Sequence, residues 1–202
     1  MKCRVDDNDE NSANTGITET TRVPTAFPHP TNPNIRFWDL PGIGTPNYPD
    51  LDTFCKLVRI EMYDTFLILS SARFTENDKL LAEKVKSMGK SFFFIRSKID
   101  NDRRSEKRKL RDNFKEKKML RTISNDCMKS IKDFGVEEED IFLISSHYPT
   151  KWHFDRLQKA ILDQLPSRQK ESLIFTLQTK SKDVLRDKIE LLKSKYNLDL
   201  LK

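Results

Sequence analysis

Four short and almost continuously apolar runs punctuate the chain: NIRFWDL (34–40), DTFLILSSA (64–72), SFFFIRS (91–97) and DIFLISS (140–146). Each is too short and too uniformly apolar for a surface helix, so each predicts a strand buried on both faces. Between them, apolar residues recur at helical spacing. The first set is Phe54, Leu57, Val58 and Met62, and the second is Leu80, Leu81, Val85 and Met88. The third runs through Leu110, Phe114, Leu120, Ile123, Cys127, Ile131 and Phe134. Such alternation predicts an α/β fold, a mostly parallel sheet with helices on both faces, in which ligands sit beyond the carboxyl ends of the strands. A further helix is predicted over 152–164, stopped by Pro166. Beyond it Leu185, Ile189, Leu192 and Tyr196 mark an amphipathic helical tail whose apolar face needs a partner. Residues 1–15 contain almost nothing apolar and predict a mobile tail or the remnant of a loop.

Composition narrows the class. A chain of 202 residues can bury one full core and has little room for a second complete domain. With 36% hydrophobic and 34% charged residues, 13 of them Phe among the former, it predicts a folded core under a heavily charged surface of net charge +6. The three cysteines lie far apart with no C-x-x-C spacing, which argues against a disulfide framework or a zinc site and for a reducing compartment. No apolar run reaches the roughly 18 residues of a membrane span, and no signal-peptide core opens the chain, so a cytoplasmic location is expected. The histidines show no metal-ligand spacing, His29 between two prolines reads as an exposed turn residue, and Trp38 reads as core packing.

The predicted strand ends carry the chemistry. Asp39 closes the first strand in DLPG, Ser97 to Asp100 close the third in SKID, and Ser145 and Ser146 close the fourth. All three ends are expected to converge on one edge of the sheet. DLPG fits a D-x-x-G element, in which the Asp serves a Mg²⁺ ion and the Gly42 backbone N–H reaches a γ-phosphate, an approach that a residue without Cβ allows closely. SKID fits [NTS]-K-x-D. There Asp100 accepts two hydrogen bonds from guanine, and the alkyl stem of Lys98 lies along the ring; adenine lacks the N2 amino group and is rejected. Taken singly, each motif is equally ordinary turn chemistry. Their serial order, D-x-x-G, then helix–strand–helix, then S-K-x-D, then SS, is that of a GTP-binding domain.

Upstream, GITETTRVPTAFPHP (16–30) holds Thr18, Thr20 and Thr21, which compete for the threonine that gives its hydroxyl to Mg²⁺ and its N–H to the γ-phosphate; Thr21 is favoured and Thr20 comes second. GITETT, PHPTNPNIRFWDLPGIGTPNYP and ARFTENDKLLAEKVKSMGKSFFFIRSKID together resemble the interferon-inducible, immunity-related GTPase family over about residues 14–202. The resemblance implies a P-loop NTPase-like G domain over 16–166 and the first part of a helical domain over 167–202. It implies a dynamin-like GTPase that hydrolyses GTP with Mg²⁺, assembles with itself or related GTPases, and associates peripherally with endomembranes. On that implication Thr21 and Asp39 hold the metal, Gly42 the γ-phosphate, Lys98 and Asp100 the base, and Ser145 and Ser146 line the base pocket. Ile43 stands where many small signalling GTPases place a catalytic Gln, and the resemblance implies that hydrolysis is promoted by a partner subunit instead.

The segment RRSEKRKLRDNFKEKKMLR (103–121) holds ten Lys or Arg against three acidic residues. It reads either as a solvated helix face or as a phosphate-binding surface; anionic lipid fits better than nucleic acid, because no aromatics are interleaved for base stacking. The family pattern also calls for G-x-x-x-x-G-K-[ST] ahead of the threonine loop, yet Gly16 is the only glycine before Gly42. The chain is therefore expected to be an incomplete GTPase, the alternative being an inactive G-domain-like module that modulates full-length relatives. Three or four charge-assisted hydrogen bonds fewer to phosphate could remove on the order of 5–8 kcal/mol of binding. The 202-residue chain alone is thus predicted to bind GTP negligibly at micromolar concentrations; tight, Mg²⁺-dependent binding of a fluorescent GTP analogue would overturn this.

Overall fold

The computed structural model describes residues 21–29, 32–134, 136–165, 167–177 and 181–196. The tail predicted over 1–15, and with it Thr18 and Thr20, lies outside the described residues. In chain order the elements are β1 (Thr25–His29), β2 (Asn32–Asp39), α1 (Leu51–Val58), β3 (Thr65–Ser70), α2 (Glu76–Ser87), β4 (Ser91–Arg96), α3 (Ile99–Leu110), α4 (Glu116–Ile131), β5 (Ile141–Leu143), α5 (Phe154–Gln164), α6 (Ser167–Thr176) and α7 (Lys182–Tyr196). They fall into two units, one of residues 1–63 with 166–177 and one of residues 64–165 with 178–202.

In the first unit β1 and β2 form an antiparallel pair, with Thr25 opposite Asp39 and Phe27 opposite Phe37 and a register shift between Pro28 and His29. The sequence pattern misses β1, because Pro24 and Pro28 read as turn residues although proline is tolerated in an edge strand. β2 is the strand expected over 34–40, but it pairs with β1 rather than with the parallel sheet. Nor is it buried on both faces: Arg36 and Asp39 are exposed while Ile35 and Phe37 are half-buried. Trp38, expected in the core, is 38% exposed and meets the Tyr63 ring edge-on at 5.6 Å. His29 departs in the other direction. It is 5% exposed, stands 6.2 Å from the Phe37 ring, and burial pushes its pKa down. α1 starts at Asp50, whose carboxylate accepts from the Thr53 N–H at 2.7 Å, and it buries Phe54, Cys55 and Val58. α6 packs on β2.

The second unit is built on the parallel sheet β3-β4-β5. Phe94 of β4 lies opposite Ile68 of β3 and Ile141 of β5. The central strand buries Phe93, Phe94, Ile95 and Arg96, and β5 is buried throughout, as two-faced burial predicts. β3 alternates, with Phe66 and Ile68 inside and Leu69 exposed. α2 opens on a capping box in which Thr75 and Asp78 satisfy each other's backbone N–H groups. Ala82 of α2 and Met119, Cys127 and Ile131 of α4 join Ile68, Phe94 and Ile141 in one cluster. Burial pushes the Cys127 thiol up to about 11.

The helix expected through 110–134 is α4 flanked by 3-10 turns, and a separate helix, α3, precedes it. α3 ends at Leu110, and Arg111 has φ 47° at the start of a 3-10 turn over Arg111–Asn113 before α4 begins. α3 escapes a search for periodicity because Ile99 and Leu110 are its only apolar residues. α5 matches the helix expected over 152–164 and packs on α7, to which Lys159 is tied by ion pairs to Asp187 at 2.5 Å and to its own helix by Asp163 at 3.1 Å. α7 buries Val184 and leaves Leu185 and Ile189 exposed, so the stripe read from the sequence is not its inner face.

Phe94 is 1% exposed and meets Phe74, Phe92 and Phe134 edge-on at 4.9, 5.5 and 5.9 Å. Phe94→Ala is therefore predicted to cost about 3–5 kcal/mol, and Phe94→Leu under about 1.5 kcal/mol, in chemical denaturation. Equal, small losses would mean that the ring cluster is loosely packed.

Candidate functional site

The expected site residues lie in two groups, one in each unit. In the first unit, β2 ends on Asp39 and Thr21 precedes β1, and the antiparallel pairing brings them together. The Thr21 hydroxyl donates to Asp39 Oδ2 at 2.5 Å. That bond uses the hydroxyl proton and leaves the oxygen lone pairs available to a cation, so the pair presents two hard oxygen donors side by side. Magnesium suits such a pair, since it commonly takes one or two protein oxygens and fills its octahedron with phosphate and water. Among the described residues no group of three or more His, Cys, Asp or Glu could hold a metal ion.

After Asp39 the chain turns back on itself. Gly44, at φ 88°, donates its N–H to the Tyr48 carbonyl at 2.7 Å, and the Tyr48 N–H returns a bond to Thr45 O at 3.0 Å. The buried Tyr48 also donates its hydroxyl to Arg22 O at 3.0 Å, which ties the turn to the segment bearing Thr21. Thr45 Oγ1 donates to Gly42 O at 3.2 Å. A Cβ built on Gly42 would meet nothing closer than Thr45 Cγ2 at 3.7 Å, an ordinary contact. Packing within the chain therefore does not require glycine at position 42, whereas close approach of an outside group would.

In the second unit the ends of β4 and β5 converge as expected. Backbone bonds continue past the strands: Ser97 N–H to Ser70 O at 2.7 Å, Ile144 N–H to Arg96 O at 2.9 Å, and Ile99 N–H to Ile144 O at 3.2 Å. They seat the first turn of α3 beside the end of β5. There Asp100, 7% exposed, accepts a hydrogen bond from the Ser145 hydroxyl at 2.6 Å. The Ser145 oxygen in turn accepts from the His147 N–H at 3.2 Å. Ser146 is exposed and does not share the burial of Ser145. Lys98, the residue before α3, is exposed in a left-handed conformation with φ 59°.

Two supports were not legible in the motifs. Arg96, buried at the end of β4, pairs with Asp102 at 2.8 Å and donates to Ser97 O at 2.5 Å. Burial raises the Asp102 pKa, and the Arg96 charge and hydrogen bond oppose that shift. Glu116, the first residue of α4, accepts from Arg103 Nε at 2.8 Å and from Trp152 Nε1 at 2.9 Å. The Arg103 bond, with Trp152 assisting against desolvation, holds its carboxyl below the usual range. The sequence offered only one of three acids in a basic segment and an aromatic at the start of a predicted helix.

The family model described as interferon-inducible GTPase (IIGP) matches residues 3–202. The chain is 35% identical over 191 residues to interferon-gamma-inducible GTPase 10 of Mus musculus, covering 95% of this chain and 46% of that protein. T-cell-specific guanine nucleotide triphosphate-binding protein 2 of Mus musculus is 34% identical over 194 residues, 96% of this chain and 46% of the relative. Interferon-inducible GTPase 5 of Bos taurus is 32% identical over 184 residues, 91% of this chain and 39% of the relative. The chain thus spans a little under half the length of the curated relatives it matches.

Two substitutions separate packing from ligand contact. Ser145→Ala strips a buried carboxylate of its donor and is predicted to cost about 1–3 kcal/mol of stability. Gly42→Ala has room for its methyl and should change stability by no more than about 0.5 kcal/mol. Both are read from denaturant midpoints; a large loss in Gly42→Ala would show that the glycine serves the fold.

Proposed function

The chain belongs to the interferon-inducible GTPase family, and from that premise we propose that it carries the recognition elements of a Mg²⁺·GTP site. Asp100 reads the guanine edge, Lys98 covers the ring with its alkyl stem, and Ser145 and Ser146 border the base. Thr21 and Asp39 hold the metal with Thr20 as the alternative threonine, and Gly42 offers its N–H to the γ-phosphate. When bound, the metal neutralises phosphate charge. The residues of this chain supply orientation: a clamped carboxylate for the base, a hydroxyl–carboxylate pair for the ion, and an open backbone for the phosphate.

The observation that carries this reading is the Ser145–Asp100 bond. A carboxylate 7% exposed in water's shadow is costly unless its oxygens are engaged, and Ser145 engages Oδ1. The charge is thereby fixed in place, aimed from the first turn of a helix at the strand ends where α/β proteins bind ligands. Guanine, with donors at N1 and N2, suits such a carboxylate. The proposal extends to GTP hydrolysis to GDP and phosphate, to assembly with related GTPases, to peripheral association with anionic membranes, and to residues 167–202 as the opening of a helical domain. Among the described residues no helix is long and apolar enough to cross a membrane.

The test is Asp100→Asn in a chimera that supplies a G-x-x-x-x-G-K-[ST] segment ahead of Gly16. Xanthine carries an oxygen at C2 where guanine carries an amino group, and an amide can donate to it where a carboxylate repels it. GTP is predicted to weaken by roughly 2–4 kcal/mol, or about 30- to 1,000-fold, and xanthosine triphosphate by far less. Equal losses for both nucleotides would mean that Asp100 shapes the loop; no loss for either would defeat the guanine assignment.

A further inference from the structure

A pocket of about 580 Å³ opens between one face of α3 and the loop after β5. Arg103, Arg104, Lys107 and Arg108 line the helix side, and Tyr148, Lys151 and Trp152 the loop side, with Asp100 at one end. The four cations occupy positions i, i+1, i+4 and i+5 of α3 and so share a face. Arg103 is neutralised by Glu116, which also fixes Trp152 through its indole N–H. Among the described residues Arg104, Lys107 and Arg108 have no ion-pair partner, while Lys151 lies over the Tyr148 ring, with its Nζ 4.6 Å from the centroid, and also feels the Glu116 charge.

Helix electrostatics do not account for this arrangement. Cations in the last turn complement the dipole, which covers Lys107 and Arg108 but not Arg103 and Arg104 a turn earlier. With Arg103 engaged by Glu116, Arg104–Arg108 remains a like-charge pair at i,i+4, which disfavours the helix. Lys151, from a separate loop, adds a further positive charge to the same hollow. An anionic ligand would offset this crowding.

The shape selects the class of anion. A pocket of this volume takes a ligand of small-molecule size. The two aromatics are partly engaged, Lys151 lying over the Tyr148 ring and Trp152 meeting that ring edge-on at 5.8 Å with its indole N–H held by Glu116, and the rest of the lining is mostly cationic. Several phosphates on one small frame would meet Arg104, Lys107, Arg108 and Lys151 together, which a nucleobase would not. We propose that this pocket is a binding site for a compact polyphosphate of the inositol-phosphate class, either free or as the headgroup of a phosphoinositide. The site does not depend on the nucleotide reading, although Asp100 borders both.

The experiment titrates the full chain with inositol 1,4,5-trisphosphate by calorimetry and, in parallel, with phosphatidylcholine vesicles containing either phosphatidylinositol 4,5-bisphosphate or phosphatidylserine at matched charge. The variant R104Q/K107Q/R108Q is compared with K117Q/K118Q/R121Q, which removes the same charge from exposed positions of α4 outside the pocket. The pocket variant should lose about 30-fold in affinity for the trisphosphate, three exposed ion pairs' worth, and the control less than about threefold. Binding to the soluble trisphosphate supports a free ligand; binding to bisphosphate vesicles alone supports the lipid headgroup. Equal losses in the two variants, or equal binding to both kinds of charged vesicle, would overturn the proposal, since net charge would then suffice. Displacement of the trisphosphate by poly-glutamate at equal charge would overturn it as well, in favour of an acidic peptide. Thermal melts of both variants exclude misfolding, because all six side chains are exposed. Asp100→Asn removes a negative charge from the end of the pocket and should strengthen trisphosphate binding if it changes it at all, while it weakens GTP, so failure of the guanine reading and failure of this one are told apart.

Discussion

The first turn of α3 is where two strands take hold of one helix. Two residues apart, Asp100 and Asp102 are each claimed by a different strand end: Asp102 by the buried guanidinium of Arg96 from β4, and Asp100 by the Ser145 hydroxyl from the end of β5. Both carboxylates also favour the positive end of the helix dipole. The arrangement positions more than it stabilises. Burial, with the nearby Asp100 and Glu106 charges adding to it, raises the Asp102 pKa against the pull of the guanidinium at 2.8 Å, and a part-buried ion pair of this kind adds little net stability. What it secures is orientation: α3 cannot rotate without breaking a charged contact to one strand or the other, and Lys98, Asp100 and the basic face of the helix all take their direction from it.

The fold was legible wherever burial was two-sided. β4 and β5 are continuous apolar runs, and they lie where those runs place them. Legibility failed where something other than hydrophobic periodicity holds an element. β1 was hidden by its prolines. α3 was hidden because polar contacts, and not an apolar stripe, anchor it. β2 was found, but its partner was not: Ile35-Arg36-Phe37-Trp38 alternates in burial, and that alternation is the mark of the half-buried antiparallel strand it forms with β1. Trp38 and His29 exchanged their expected environments for the same reason, since the identity of a residue says little about which side of a two-stranded ribbon it faces.

The motif residues can be placed from the sequence more readily than their surroundings because their spacing is local. SKID and ISS are each written within four residues, and the parallel strand order brings Asp100 and Ser145 together across 45 positions without any further information. Thr21 and Asp39 meet across the β1–β2 pair in the same way. The bracing around them is not local. Glu116 reaches Arg103 thirteen residues back and Trp152 thirty-six residues on, and one of three acids among ten cations carries no mark of that role in the sequence.

This division explains how one helix can present two chemistries. The N-terminal turn of α3 is acidic and held by strand ends, so its carboxylates are fixed and few. The remaining turns are basic and held at one point, where Glu116 binds Arg103, so their cations project from a braced frame while keeping their own mobility. A break separates the two chemistries: α3 ends at Leu110, a 3-10 turn over Arg111–Asn113 follows, and Met119, Cys127 and Ile131 join the cluster from α4. By ending α3 in a left-handed residue and a 3-10 turn, the chain sends its apolar stripe inward on α4 and leaves α3 free to face water and whatever anions approach it.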